Sequence, residues 1–475
     1  MKYLVAVIFL IVSQIVIAQA NFISDLLAQP YLQLGKRPTP QSIQLLWHVP
    51  ASNDVWLAEY KNSDDAEWKR STEQTYSTIA VGNATPFNVY SASFTTLKPG
   101  AFFKYRISKN AKVVFTSEAK SLKSAGQSFR LAITGDIAAG TNWSKKIAWE
   151  LYKAKPDLVA IAGDIVYNRG LISEYKTKFW PVYNRDVADS LGAPLMRSIP
   201  FVASVGNHDA LTRDLDQFPD ALAYYHFWDQ PLNGPDMKEG GAAVPVLNGS
   251  DANKKAFYNG AGEKYPRMTN FSFDYGNAHW TVIDSDPYVD WNDSTLRDWL
   301  KKDLASAAAA TWRFVLFHHP GFNSSRAHYG EQQMRLISPI LEKGGVDIVF
   351  SGHVHNYQRT FPMTFIPDNL GNQLVSGPNN FKAGKLVNGR WTLDKNFDGN
   401  AKTKPSGVIY IVTGAGGQGL YNTEQEKDTD SWQKFTTKFI STVHSFTVID
   451  VNGNTLVLRQ LDINGREVDK IKITK

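Results

Sequence analysis

The sequence contains no cysteine among its 475 residues. This absence excludes disulfide bonds, a disulfide-linked dimer, thiolate metal sites, thiol nucleophiles and a lipid-modified N-terminal cysteine. The net charge is +6, but no cluster of lysine and arginine is long enough to suggest a nucleic-acid arm, so we predict no nucleic-acid partner. Beyond residue 20 no apolar run is long enough to span a bilayer, and we predict no integral membrane segment in the mature chain.

Residues 1–20, MKYLVAVIFLIVSQIVIAQA, have the pattern of a cleavable signal peptide. Lys2 supplies the charged start, an apolar run follows, and Ala18-Gln19-Ala20 supplies the small residues of a cleavage site. An uncleaved anchor helix is the alternative, but polar residues interrupt the run and no basic flank follows it. We therefore predict a secreted or periplasmic protein, and the lack of disulfides favours a bacterial source.

Length and composition predict two folded domains of an ordinary globular protein, since 475 residues exceed what one core usually holds. Residues 21–124 consist of short alternating runs broken by turns, which predicts a small all-β sandwich. The stretch from Leu97 to Arg106 resembles the corner between strands E and F of fibronectin type III domains. Phe103 stands where those domains have a hydrogen-bonding tyrosine.

From residue 126 to residue 475 strands alternate with helices, which predicts an α/β domain with a mainly parallel sheet covered on both faces. Two polar stretches, 211–269 and 367–404, lack this periodicity, and we expect them to border a substrate cleft with little regular structure. The predicted strands are 130–134, 158–162, 201–205, 279–284, 313–317 and 347–350. The predicted helices are 143–153, 173–189, 294–309 and 331–342.

The stretch from Gly163 to Tyr167 follows the most apolar of the predicted strands. The run from Leu158 to Ala162 is typical of a buried parallel strand, so Asp164 falls at the carboxyl end, where ligands bind in such sheets. Tyr167 is close enough in sequence to share whatever Asp164 binds. A phenolate is an unusual ligand that hard trivalent iron accepts well.

Four further predicted strands also end in residues that can bind a metal. A single Gly-Asp after a strand is usually a surface turn, but five such ends on one face of one sheet indicate a metal site. The donors are three carboxylate or phenolate oxygens, one amide oxygen and three imidazoles, which suit two cations bridged by Asp164 rather than one tetrahedral zinc. The seven residues are Asp136, Asp164, Tyr167, Asn207, His318, His353 and His355.

With these motifs the chain resembles the calcineurin-like metallophosphoesterases and, within them, the purple acid phosphatases, whose motifs run GD, GDxxY, GNH, VxxH and GHxH. The resemblance covers about residues 126–475. It implies a metallophosphoesterase core of β-sandwich type with flanking helices, preceded by a fibronectin type III-like domain. The matching segments are Gly135-Asp136, Gly163-Asp164-Ile165-Val166-Tyr167, Gly206-Asn207-His208, Val315-Leu316-Phe317-His318 and Gly352-His353-Val354-His355.

The resemblance also implies a dinuclear centre of Fe(III) with a divalent Fe, Zn or Mn ion. It implies an acid phosphatase that hydrolyses small phosphomonoesters by attack of a metal-activated hydroxide. The implied ligands of Fe(III) are Asp136, Asp164, Tyr167 and His355. The implied ligands of the divalent ion are Asp164, Asn207, His318 and His353.

The leaving group requires a general acid, for which the sequence offers two histidines. His208 follows a predicted metal ligand and has Asp209 beside it to orient its ring. His328 is the second candidate. It lies where plant-type members have a pair of histidines, and this chain has Ala327 in place of one of them.

The remaining histidines and a glycine-rich loop have structural interpretations. His319 is predicted to point away from the neighbouring ligand and to serve in packing or in supporting the ligands. The loop of residues 414–419 is predicted to be a tight turn near the metals. The histidines predicted to lie in apolar or aromatic cores are His48, His226, His279 and His444.

Two other functions fit the same motifs. A phosphodiesterase or nucleotidase would use the same metals, because the motifs do not fix whether the substrate carries one ester bond or two. A cell-surface binding protein with an inactive phosphoesterase core is the alternative from another class. The complete ligand set argues against this second alternative.

Overall fold

The computed structural model describes residues 25–368 and 386–475. The predicted signal peptide, residues 1–20, lies outside the described residues, as does most of the first half of the polar stretch 367–404. Within the described ranges no helix is both long and apolar enough to cross a bilayer.

An all-β region precedes the core, as predicted. Its strands are β1 (Ala28–Gln33), β2 (Ile43–Pro50), β3 (Trp56–Asn62), β4 (Lys69–Arg70), β5 (Glu73–Ile79), β6 (Phe87–Phe94), β7 (Phe102–Lys109) and β8 (Lys112–Lys120). They form two antiparallel sheets, in the orders β1-β2-β6-β5 and β4-β3-β7-β8. Phe103 is buried in the cluster that both sheets share, and the Tyr60 hydroxyl of β3 instead donates a hydrogen bond to the Thr95 carbonyl near this corner.

The core contains two large sheets, in the orders β13-β10-β9-β23-β24-β25 and β14-β15-β16-β17-β21-β18-β22, and two hairpins, β11-β12 and β19-β20. The bounds of these strands are β9 (Phe129–Thr134), β10 (Leu158–Ala162), β11 (Asn184–Asp189), β12 (Gly192–Pro194), β13 (Phe201–Ser204), β14 (Phe271–Tyr275), β15 (Ala278–Val282), β16 (Trp312–Leu316), β17 (Ile348–Ser351), β18 (Tyr357–Thr360), β19 (Met363–Pro367), β20 (Gly389–Leu393), β21 (Ile409–Thr413), β22 (Thr436–Ile440), β23 (Ser445–Asn452), β24 (Thr455–Asp462) and β25 (Glu467–Thr474).

Short helices flank the sheets. The α-helices are α1 (Asn142–Ala154), α2 (Ile172–Glu174), α3 (Trp180–Tyr183), α4 (Asn207–Ala210), α5 (Tyr224–Phe227), α6 (Asp251–Ala261), α7 (Ser294–Ser306) and α8 (Ser338–Lys343). A π-helical turn covers Tyr175–Phe179, and 3₁₀ turns cover Gly262–Lys264, Ala307–Ala309, Gln333–Ile337, Thr423–Glu426 and Thr429–Ser431.

The two large sheets pack face to face, so the prediction of one mainly parallel sheet was wrong, whereas the implied sandwich core is confirmed. Leu158 and Ala160 of β10 share a buried cluster with Trp280 of the opposite sheet. The alternate residue Val159 shares a different buried cluster with Leu151 of α1. A strand buried on both faces has the same apolar sequence whether its second cover is a helix or a sheet, so the pattern did not distinguish the two.

Several predicted elements differ from the structure. The polar stretch 367–404 contains the strand β20, and the helix predicted over 331–342 is a 3₁₀ turn up to Ile337 and an α-helix only from Ser338. The helix predicted over 173–189 ends at Tyr183, and Asn184 starts β11 with its side-chain amide donating to the Gln29 carbonyl at 2.9 Å. Tertiary contact with the N-terminal region thus overrides the helical pattern there. The polar stretch 211–269 contains the unpredicted helix α6, whose start carries the Ser250 cap, a recognised sequence signal.

His279 was expected in apolar surroundings but lies between two carboxylates. Its Nδ1 is 2.8 Å from Asp274 Oδ1 and its Nε2 is 3.2 Å from Asp303 Oδ2. Burial lowers the pKa of His279, but the hydrogen bonds to Asp274 and Asp303 outweigh burial and raise the pKa to about 9. The ring is therefore a charged bridge between β14, β15 and α7.

We predict that His279→Gln lowers the melting temperature more at pH 6 than at pH 9.5. The pKa of this histidine is higher in the folded state than in the unfolded chain, so its contribution is complete below about pH 6.5 and is lost as the pH rises through 9. The contribution at pH 6 is at most about 3 kcal/mol, since Asp274 is largely exposed and screened. Thermal unfolding of the wild type and of the variant at both pH values measures the decrease in melting temperature. An equal decrease at pH 6 and at pH 9.5 would contradict the prediction.

Candidate metal centre

The predicted ligands lie at the carboxyl ends of strands from both large sheets. Asp136, Asp164 and Asn207 follow β9, β10 and β13 of the six-stranded sheet, whereas His318 and His353 follow β16 and β17 of the seven-stranded sheet. The expectation of one face of one sheet was therefore wrong. The ends of two facing sheets meet at the site, and this brings the five motifs together.

A first donor set consists of Asp136, Tyr167 and His355. The Tyr167 hydroxyl is 2.9 Å from Asp136 Oδ1 and 3.4 Å from His355 Nε2, and His355 Nε2 is 3.4 Å from Asp136 Oδ1. Ligands that each lie about 2.0–2.2 Å from one cation are separated by such distances. The three atoms therefore fit one face of a single metal coordination shell.

The glycine-rich loop of residues 414–419 holds His355 in place. The Gly419 carbonyl accepts a hydrogen bond from His355 Nδ1 at 2.7 Å, so the proton sits on Nδ1 and Nε2 keeps its lone pair. The loop itself is fixed by the Gly416 N–H donating to the Gly135 carbonyl. The loop thus turns close to the ligands and selects the tautomer of one of them.

A second donor set consists of Asp164, Asn207 and His318. His318 Nε2 is 3.3 Å from Asp164 Oδ1 and 3.1 Å from Asn207 Oδ1. The opposite nitrogen, Nδ1, donates to the Ala162 carbonyl at 2.8 Å. Burial lowers the pKa of His318, but the charge of Asp164 outweighs burial and raises it to about 10. The surroundings of these donors therefore favour positive charge.

His353 links Asp136 of the first donor set to Glu331, a residue that belongs to none of the five motifs. Its backbone N–H donates to Asp136 Oδ2 at 2.8 Å, and its Nε2 is 2.7 Å from Glu331 Oε2. This leaves Nδ1 as the nitrogen available to a metal. Glu331 also contacts His328 Nδ1 at 2.8 Å, and the spacing His328-x-x-Glu331 was the only sequence signal for it.

Three predicted ligands have left-handed backbone conformations, which non-glycine residues rarely adopt. The φ angles are 61° at Asp136, 49° at Asp164 and 64° at His353. Gly352 permits the close approach of the strand ends, because a Cβ there would lie 2.4 Å from the Ala162 carbonyl oxygen. The backbone at the strand ends thus adopts uncommon conformations at the residues that carry the predicted donor atoms.

Comparison with known proteins places this site in a family. Residues 129–357, which contain all seven predicted ligands, match the family model described as calcineurin-like phosphoesterase. This part of the chain is a calcineurin-like metallophosphoesterase domain.

The chain is also similar to relatives and to a solved structure that are named purple acid phosphatases. Purple acid phosphatase 18 of Arabidopsis thaliana is 26% identical over 312 residues, covering 64% of this chain and 53% of the relative. Purple acid phosphatase 23 of the same plant is 25% identical over 340 residues, covering 65% of this chain and 66% of the relative. The chain thus spans between about half and two thirds of the length of these relatives.

The solved structure of purple acid phosphatase PPD1 from yellow lupin (Lupinus luteus) seeds has a TM-score of 0.65 to this chain. It is 17% identical in sequence, and the match covers 94% of this chain and 74% of the lupin chain. At this identity the match shows a shared fold, which includes the N-terminal all-β region as well as the metallophosphoesterase domain.

His208 lies at the rim of the metallophosphoesterase site. Its Nδ1 donates to the Asn168 carbonyl at 2.7 Å, and its Nε2 is 3.9 Å from Asp164 Oδ2. The expectation that Asp209 orients this ring was wrong. The buried Asp209 carboxylate instead accepts backbone N–H groups, among them that of Gly206 at 3.0 Å, and so it supports the loop rather than the ring.

His328 lies on the other side of the site. Besides Glu331, its Nδ1 is 3.0 Å from His353 Nε2. Burial raises the pKa of Glu331, but the hydrogen bonds from His328 and His353 outweigh burial and hold the pKa well below its usual range. Glu331 is therefore an anion that positions both histidines.

The other histidines have structural surroundings. His319 is buried with its Nδ1 3.3 Å from Ser285 Oγ, and its ring centroid is 4.2 Å from that of His353. Its ring centroid is also 4.9 Å from that of His318, and His318, His319 and His353 offer nitrogens within 4.8 Å of one another. The prediction that His319 points away from the neighbouring ligand was therefore wrong, and its ring packs directly against the predicted ligands. His48 and His226 lie among aromatic rings, and His444 stacks on Trp143.

We predict that Glu331→Gln weakens binding of a divalent metal about 10- to 100-fold, because a carboxylate that supports a ligating histidine raises its basicity and fixes its ring. Competition between the protein and a chelating dye for Zn²⁺ measures the affinity. Glu424→Gln, which removes an exposed carboxylate outside the site, is the matched control. Equal Zn²⁺ affinity in the wild type and Glu331→Gln would contradict the prediction.

Proposed function

We propose that the chain is a dinuclear metallophosphatase of the purple acid type, acting on phosphomonoesters. The observation that carries this proposal is the clustering of the Tyr167 phenol with Asp136 and His355, directly beside a second donor set. A phosphoesterase domain with one divalent site alone would not need a phenol among its donors.

The donor chemistry supports two different cations. Burial and the charges of Asp136 and Asp164 raise the pKa of Tyr167 well above its usual value, so only a strongly polarising cation would ionise this phenol. Fe(III) fits this set, with Asp136, Asp164, Tyr167 and His355 as its ligands. The amide of Asn207 with the imidazoles of His318 and His353 suits a divalent Fe, Zn or Mn ion, with Asp164 shared.

Such a pair of cations, when bound, lowers the pKa of water and neutralises phosphate charge. The protein contributes the proton for the leaving group, and His208 is best placed to carry it. The Asn168 carbonyl keeps a proton on Nδ1, and therefore Nε2 is the atom that gains and donates the transferred proton. Nε2 lies 3.9 Å from Asp164 Oδ2, so the proton-carrying atom is next to the predicted metal ligands. His328, held by Glu331, is the second candidate for this role.

We predict that the purified iron-loaded protein absorbs visible light through charge transfer from Tyr167 to Fe(III). Tyr167→Phe is expected to abolish the absorption band while iron is still bound. Absorption spectra combined with metal analysis of the same samples test this. A colourless wild type that contains one iron per chain would rule out the phenolate ligand.

We predict that Asn207→Ala lowers kcat/KM for p-nitrophenyl phosphate at least about 100-fold, because the metals supply several kcal/mol of transition-state stabilisation and the variant loses one of their ligands. Circular dichroism should show an unchanged fold. Asn277→Ala, in the turn between β14 and β15 at the opposite end of the sheet, is the matched control. Wild-type turnover by Asn207→Ala would contradict the ligand assignment.

A further inference from the structure

A cavity of about 930 Å³ opens beside the metal centre. Its lining includes the predicted ligand Asn207 with its neighbour His208, and also Asn168 and Arg169. Most of the remaining lining residues belong to the polar stretch 211–269. Because His208 faces the leaving-group oxygen in the proposed reaction, this cavity is where the leaving group lies. Its volume is near the upper end of the range for small-molecule sites, far more than an orthophosphate fills.

Arg169 presents an available positive charge to this cavity. Its guanidinium lies 4.4 Å from the centroid of the Phe218 ring, which supports it from one face. The side chain is exposed. No carboxylate of the described ranges lies within ion-pair distance of it, so its donors remain free for a ligand.

The rest of the lining reinforces this charge. Arg213 is buried in the wall, where it donates to the Pro245 carbonyl at 3.3 Å and lies 4.9 Å from the Tyr288 ring centroid. Asp214 is the single carboxylate among the lining residues described. One of its oxygens already accepts the N–H groups of the following turn. The lining side chains therefore carry a net positive charge.

We propose that this cavity binds leaving groups that themselves carry a phosphate, and that Arg169 is the residue that selects them. The inference rests on the proposed phosphatase function and narrows its substrate class. A guanidinium offers paired donors that match phosphate oxygens. Because Arg169 lines the leaving-group cavity and is not one of the predicted metal ligands, it contacts the second phosphate of a substrate and not the phosphate being cleaved.

Hydrolysis of ADP and of AMP by metal-loaded protein tests this directly. The leaving group of ADP is AMP, which carries a phosphate, whereas the leaving group of AMP is uncharged adenosine. In Arg169→Gln we expect kcat/KM for ADP to fall at least about tenfold, the effect of losing one charge-assisted contact. We expect kcat/KM for AMP and for p-nitrophenyl phosphate to change less than about twofold. Phe218→Leu should give a smaller loss in the same direction.

Arg106→Gln is the matched control, because it removes a guanidinium that also lies 4.4 Å over an aromatic ring, that of Trp68 in the N-terminal region. Binding of the non-hydrolysable α,β-methylene-ADP, measured by calorimetry, gives a readout that does not depend on turnover. Arg169→Gln should weaken this binding about tenfold, and Arg106→Gln should leave it unchanged.

The outcomes separate this inference from the proposed function. If the wild type hydrolyses p-nitrophenyl phosphate but Arg169→Gln leaves ADP turnover and analogue binding unchanged, the inference is overturned and the phosphatase proposal stands. An equal loss on all three substrates would place Arg169 on the cleaved phosphate and also overturn it. A metal-loaded wild type that is inactive on every substrate would overturn both.

Discussion

The hydrogen bond from His318 Nδ1 to the Ala162 carbonyl joins the two large sheets at the point where the metal donors meet. Ala162 ends β10 of one sheet, and His318 follows β16 of the other. The bond fixes the tautomer of the ring and turns Nε2 toward the second donor set. The approach is close enough that a Cβ at Gly163 would lie 2.5 Å from the His318 ring, and one at Gly352 would meet the same carbonyl. The glycines of the motifs therefore make room for this contact.

Charges of opposite sign lie in two neighbouring parts of the site. The buried carboxylates of Asp136 and Asp164 create a potential that favours cations, and Glu331 adds a third negative charge beside His328 and His353. The cavity that His208 lines carries Arg169 and Arg213. Positive charge beside the predicted ligands attracts an anionic ester.

The sequence predicted that the motif residues follow strands, because strand ends are marked by local signals. The run Leu158–Ala162 has the predicted bounds, and the ligand residues follow their strands as expected. What covers the second face of such a strand is not a local property, so the sandwich was inferred from resemblance and not from periodicity. Glu331 was missed for the same reason. It belongs to no strand end, and only the approach of His353 from another part of the chain gives it a role.

Predictions from neighbouring residues were also wrong where tertiary contacts determine the orientation of a side chain or the end of a helix. Asp209 is adjacent to His208 in sequence, but its carboxylate faces the backbone of the preceding loop, and the ring is held by Asn168, which lies 40 residues away. The helix predicted through Asn184 ends there because its amide bonds to the N-terminal region. Adjacency in sequence is thus a weak guide to which groups orient a candidate catalytic side chain.

The long separation of the ligands along the chain has a consequence for the order of folding. Asp136 and His353 are hydrogen-bonded across 217 residues, and β9, which leads to Asp136, lies between β10 and the late strand β23. Contacts of such separation carry a large loop-closure entropy and are slow to form. The six-stranded sheet is incomplete until β23 has been synthesised and paired. We therefore expect the complete donor set to form only after these distant strands have come together, so that a metal would bind the assembled site rather than nucleate it.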